Sequence, residues 1–198
     1  MLVVYSGYGF FVLQKNHKEI KNNMKTTNIY YLIDCSAYMD IRVKEKIQQS
    51  IKQAKRALQF SKARTKLHFI GYNDKAFILD ENKPFPTKGN ADLTEGLKLL
   101  ETIIKYQRKY NHNQTKSIFL WYTSGKTLLG YEKQLEKLFH LKEFAFGLRY
   151  AIINHSPSYF NRKPLEVFTE NSSRILYHFS VSRLTSLAEN LSLNKNRR

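Results

Sequence analysis

The residues best placed to do chemistry stand where apolar runs end. Residues 29–33, Ile-Tyr-Tyr-Leu-Ile, lead into Asp34-Cys35-Ser36-Ala37-Tyr38-Met39, and residues 117–122, Ser-Ile-Phe-Leu-Trp-Tyr, lead into Thr123-Ser124-Gly125-Lys126. A carboxylate and hydroxyls grouped like this serve either as oxygen ligands for a hard cation or as acceptors that tie loop amides down. Nucleophilic catalysis fits poorly. Cys35 directly follows Asp34, and His17, His68, His112, His140, His155 and His178 form no nucleophile-and-base signature and no zinc-binding spacing. Ser124-Gly125-Lys126-Thr127 matches the end of a phosphate-binding loop, but Leu120 occupies the place of its first glycine, inside a strand pattern where no cradle can form. The expectation is a protein without catalytic residues.

Strands and helices must bring those loops together. The run 29–33 is apolar at every position, as in a strand buried on both faces of a sheet. Val43, Ile47, Ile51, Ala54 and Leu58 then form the core stripe of an amphipathic helix. Leu67–Tyr72 and Ala76–Leu79 flank the turn signal Asn73-Asp74 and predict an antiparallel hairpin at a sheet edge. Leu93, Leu97, Leu100, Ile103 and Ile104 predict a second helix ending near Tyr106, with Asp92 and Glu95 spaced as a capping box. A strand at 117–122, a helix striped by Tyr131, Leu135, Leu138 and Phe139, and a strand from Phe144 to Ile153 continue the alternation. A short helix at Pro164–Glu170, a strand at Ile175–Phe179 and a closing helix striped by Leu184, Leu187, Ala188 and Leu191 complete it. With no internal repeat, this rhythm specifies an α/β fold: a doubly wound, mostly parallel six-stranded sheet, helices on both faces and one antiparallel edge strand. In such sheets ligands bind at the carboxyl ends of the strands, where Asp34 to Met39, Gly89 to Leu93 and Thr123 to Lys126 would converge.

These segments carry a resemblance. Asp34-x-Ser36-x-Tyr38-Met39 resembles the Asp-x-Ser-x-Ser motif of the von Willebrand factor A (vWA) family, with Tyr38 in place of the second serine. HFIGYNDKAFIL, GNADLTEGLKLL and FLWYTSGKT resemble further segments of that family, and the likeness covers about residues 26–192. Within the family the chain looks most similar to the stand-alone TerY-like type of tellurium-resistance systems. The resemblance implies a metal-ion-dependent adhesion site, in which Mg²⁺ or Mn²⁺ sits on Asp, Ser, Ser, Thr and Asp side chains and a partner's carboxylate completes the shell. Here Asp34 and Ser36 match, whereas Tyr38, Ala91 and Ser124 replace the other three groups, so a degenerate site of Asp34, Ser36 and Ser124 is expected to work without metal or other cofactor. Asn90 and Asp92 flank the lost threonine position. With Tyr38 and Lys126 they make the expected partner-binding rim of a scaffold module, whose partners the resemblance suggests are a kinase or phosphatase.

Composition sets the alternatives. The chain has 198 residues, 42% of them hydrophobic, enough for one compact domain with a sizeable core. Lys and Arg number 33 against 16 Asp and Glu, a formal charge of +17 that attracts polyanions. A second reading is therefore a nucleic-acid-associated domain contacting phosphates through Arg42, Lys44, Lys46, Lys52, Lys55 and Arg56 of the first helix, although no base-reading motif accompanies them. One cysteine rules out an internal disulfide and suits a reducing compartment, so a cytoplasmic location is expected. The apolar run at 2–13 is shorter than the roughly 20 residues of a membrane span, and lysines follow it rather than precede it as in a signal peptide. Residues 1–23 are expected to be an extension, through a start upstream of Met24, or else a real strand or partner-binding arm made from Val3, Val4, Phe10 and Phe11. The domain is placed at 24–192, followed by a basic tail at 193–198.

Overall fold

The computed structural model describes residues 2–6, 9–13, 26–59, 64–110, 116–126, 131–153 and 162–177. Strands β1 (Leu2–Ser6) and β2 (Gly9–Leu13) form an antiparallel pair of their own, so the segment carrying Val3, Val4, Phe10 and Phe11 is strand-forming. The main sheet has six strands: β3 (Thr27–Asp34), β4 (Thr65–Tyr72), β5 (Ala76–Ile78), β6 (Lys116–Thr123), β7 (Leu148–Ile153) and β8 (Ile175–Tyr177). Their spatial order is β5-β4-β3-β6-β7-β8, all neighbours parallel except the β4–β5 hairpin at one edge. The chain moves outward from β3 in one direction, then returns to its other side at β6. The crevice between the ends of β3 and β6 is thus the topological switch point.

Helix α1 (Ile41–Gln59) covers one face, and α2 (Leu93–Tyr110), α3 (Tyr131–Phe139), α4 (Lys142–Ala145) and α5 (Lys163–Thr169) pack on the other. Strand β3 shows why its sequence lacks alternation: Ile29, Tyr31 and Ile33 point to the α1 side, while Tyr30 and Leu32 join the α2 side. Both faces are covered, so every position from Ile29 to Ile33 is apolar. Asp40 starts α1, its side chain accepting from Arg42 N at 2.7 Å and its carbonyl from Val43 N and Lys44 N.

Several expected boundaries move. Phe144 belongs to α4 rather than to the strand that ends at Ile153, because Leu141 and Phe144, three apart, both turn into the core. Gly147 then brings the chain so close to β6 that a Cβ would meet Phe119 and the Glu143 carbonyl. Helix α2 runs on to Tyr110, past the expected end at Tyr106. Asp92 caps it by accepting from Thr94 N at 3.0 Å, but Glu95 pairs with Lys98 at 2.6 Å instead of closing a capping box. The expected helix at Leu184–Leu191, the end of the last strand beyond Tyr177, and the tail lie outside the described residues.

Candidate functional site

Each site loop is set by the strand before it. Asp34 is the last residue of β3 and is fully buried. Its Oδ1 accepts from Ser36 N at 2.9 Å, which folds the first loop back on itself. Its Oδ2 reaches across the switch point to β6, accepting from Ser124 N at 3.0 Å and Ser124 Oγ at 2.5 Å. Ser36 Oγ accepts from Tyr38 N at 3.3 Å. Gly125, at φ 80, turns the third loop sharply, and its N–H is taken by Thr123 Oγ1 at 3.0 Å. One carboxylate therefore joins the first and third loops.

The middle loop is held from the hairpin. Asp74, in the β4–β5 turn, accepts from Asn90 N and Asn90 Nδ2 at 3.0 and 2.9 Å, and Asn73 Nδ2 donates to the Lys88 carbonyl at 3.0 Å. Gly89 lies between them at φ 80, where a Cβ would meet Asp74 Oδ2 at 2.0 Å, and its carbonyl accepts from Ala37 N. Of the expected rim residues, then, Asn90 is exposed but its amide is engaged by Asp74, while Asp92 is half-buried as the cap of α2. Ala91, at the expected threonine position, is buried and offers no oxygen.

Tyr38 and Lys126 come together. Tyr38 is 44% exposed at the rim, and the Lys126 ammonium stands 4.5 Å from its ring centroid, a cation–π contact between the first and third loops. Ile41, also exposed, is the first residue of α1.

Beneath the loops lies a layer that the sequence reading missed. Tyr72, at the end of β4, accepts from Trp121 Nε1 at 2.9 Å, and its carbonyl accepts from Cys35 N at 2.7 Å. Burial, then the charge of Asp34, pushes the Tyr72 phenol well above its ordinary range. Burial likewise pushes the Cys35 thiol up to about 12, so it is no nucleophile at neutral pH.

The basic face of α1 needs correction at Lys44. Expected on the solvent side, Lys44 is 2% exposed, and its Nζ donates to the Ser36 carbonyl at 2.7 Å. The spacing was readable: Lys44, Ile47, Ile51, Ala54 and Leu58 fall three, four, three and four apart, so Lys44 lies on the core stripe. Burial lowers its pKa, an effect that the Asp34 and Asp40 carboxylates oppose. Lys55, though exposed, is ion-paired with Glu81, and Lys52 is half-buried; Arg42, Lys46 and Arg56 are the other exposed members of that set.

The oxygen side chains gathered at the switch point are thus Asp34, Ser36 and Ser124, with a buried ammonium beside them. Among the described residues no group of three or more His, Cys, Asp or Glu is placed to hold a metal ion. No helix among them is long and apolar enough to cross a membrane.

The sheet order and the loops at its switch point define a vWA-type fold, and solved structures bear this out. The chain is similar to proximal thread matrix protein 1 of the mussel byssus, in a form whose MIDAS motif is occupied by zinc, with TM-score 0.60, 16% identity, and coverage of 86% of this chain and 48% of that one. It is also similar to the manganese-loaded TRAP protein of Plasmodium vivax, with TM-score 0.62, 13% identity, and coverage of 85% and 74%. The chain spans about half the length of the mussel protein. No family model and no curated protein matches it.

Proposed function

We propose that the chain is a non-enzymatic vWA-like module that scaffolds a protein complex through the rim formed by its first and third loops. The observation that carries this reading is the Tyr38–Lys126 pair: a half-exposed aromatic with a cation on its ring, seated on loops that Asp34 locks together. A tyrosine offers a partner apolar area and a hydroxyl at small entropic cost, and rigid loops spare the cost of ordering them on binding. The vWA fold supports the reading because such domains often mediate protein–protein contacts. Following the TerY-like resemblance, the module works in the cytoplasm of a bacterium, within a stress-response system of the tellurium-resistance kind, with a kinase or phosphatase as partner. Burial and the raised pKa of Cys35 favour a binding role at the first loop over nucleophilic catalysis by that thiol.

The test is an affinity capture from lysate of the source cells with wild-type protein, Tyr38→Ala and Lys126→Glu, with and without nuclease and chelator. Protein partners that survive both treatments and are lost with the rim variants support the reading. Nucleic acid recovered alone, with capture abolished by replacing Arg42, Lys46 and Arg56 with Glu, would instead make the remaining basic face of α1 the functional surface.

A further inference from the structure

We infer that Lys44 is the resident cation of this site: its ammonium, buried beneath the first loop and bonded to the Ser36 carbonyl, serves the carboxylate end of β3 in place of a divalent ion. Three observations converge on it. Lys44 and Arg149 are the buried cations among the described residues, and Lys44 is the one at the switch point. The ammonium and Asp34 hold the same short loop from two sides, Lys44 through the Ser36 carbonyl at 2.7 Å and Asp34 through the Ser36 amide at 2.9 Å. The positions at which the adhesion-site pattern supplies further oxygens are changed together: Ala91 is buried and apolar, Tyr38 turns outward under Lys126, and Ser124 brings a hydroxyl instead of a charge, spent on Asp34.

The chemistry is consistent. A hard dication needs six or more oxygens and a surplus of negative charge, and it is repelled by a neighbouring ammonium. A lysine delivered by α1 needs a buried acceptor, which the Ser36 carbonyl supplies at 2.7 Å. Because the cation is covalently part of the helix, the first loop is set without any concentration of metal, and the rim above it is fixed permanently. The inference rests on the fold and on these contacts, not on the identity of any partner, so its failure and that of the scaffold reading are separable.

The experiment titrates full-length wild-type protein with MnCl₂, following water-proton relaxation, which rises when Mn²⁺ is bound, and follows thermal unfolding of wild type, Lys44→Met, Lys44→Arg and Lys46→Met. The expected result is no bound Mn²⁺ at 1 mM, a melting temperature unmoved by the metal, and a Lys44→Met protein that melts about 5 °C or more below Lys46→Met or does not fold. Lys44→Arg, which keeps the charge, melts above Lys44→Met. Stoichiometric Mn²⁺ binding by wild type that disappears in Asp34→Asn would overturn the inference. So would a Lys44→Met protein as stable as Lys46→Met.

Discussion

Replacing Asp34 with alanine tests the architecture of the site most sharply. The carboxylate accepts from Ser36 N at 2.9 Å, Ser124 N at 3.0 Å and Ser124 Oγ at 2.5 Å, and all three residues are buried. A buried donor left without a partner costs about 1–3 kcal/mol. The Ser124 hydroxyl can rotate to another acceptor, but the two backbone N–H groups cannot, so the expected loss is about 3–5 kcal/mol. For a chain of this size that lowers the melting temperature by about 6–20 °C. Asp34→Asn keeps one acceptor oxygen and turns an NH₂ toward the other donors, so it should lose less. Urea unfolding followed by fluorescence of the single tryptophan, Trp121, reads the change directly, because that side chain is buried one residue-layer below the loops against Tyr72. If Asp34→Ala unfolds within about 1 kcal/mol of wild type, the carboxylate does not hold the loops and the account of the site is wrong.

Two predictions concern the frame around the site. Arg149 is fully buried, donates to the carbonyls of Phe168 and Ala145 at 2.8 and 3.0 Å, bonds the Phe144 carbonyl, and pairs with Glu170. It thereby ties α4, β7 and α5 together, so Arg149→Met should cost about 3–5 kcal/mol in urea unfolding and Arg149→Lys nearly as much, since one ammonium cannot span those acceptors. A lysine variant of wild-type stability would rule out this clamp. His68 is stacked on Tyr30 with centroids 4.7 Å apart, and burial, then Lys66, holds its pKa down to about 4. The unfolded chain, with an ordinary histidine pKa of about 6.5, takes up the proton first, so this contribution is full above pH 6.5 and lost as pH falls toward 4. The ceiling is about 3 kcal/mol, and partial exposure brings it to about 1–2 kcal/mol. His68→Phe should flatten the stability profile over that window; an unchanged profile would refute the assignment.

Much of the fold was legible because burial on two faces leaves a strong mark. The uninterrupted apolar runs of β3 and β6 identify central parallel strands, and the stripe of α1 identifies its buried side. Strand β7 was read too long because Phe144 is as apolar as the strand after it, and only the position of Gly147 against Phe119 reveals that a helical turn intervenes. The site was legible as a set of strand ends, Asp34 and Ser124 above all, since topology alone brings those ends together. Its internal wiring was not. Asn90 and Asp92 look like free polar groups in the sequence, and nothing local tells that Asp74, sixteen residues before Asn90, takes up that amide. Lys44 was misread for a different reason: a lysine in a helix rich in lysines suggests solvent, and its place on the apolar stripe counted for more than its charge.

The central claim is that a metal-independent rim centred on Tyr38 binds protein. It is tested most directly by capture from lysate in the presence of chelator and nuclease, comparing wild type with Tyr38→Ala, alongside the melting temperatures of both. The account predicts a protein partner retained by wild type and lost by Tyr38→Ala, with melting temperatures within about 3 °C of each other, since a half-exposed side chain carries little of the core. A partner held equally well by both proteins would contradict it, as would one released from wild type by the chelator.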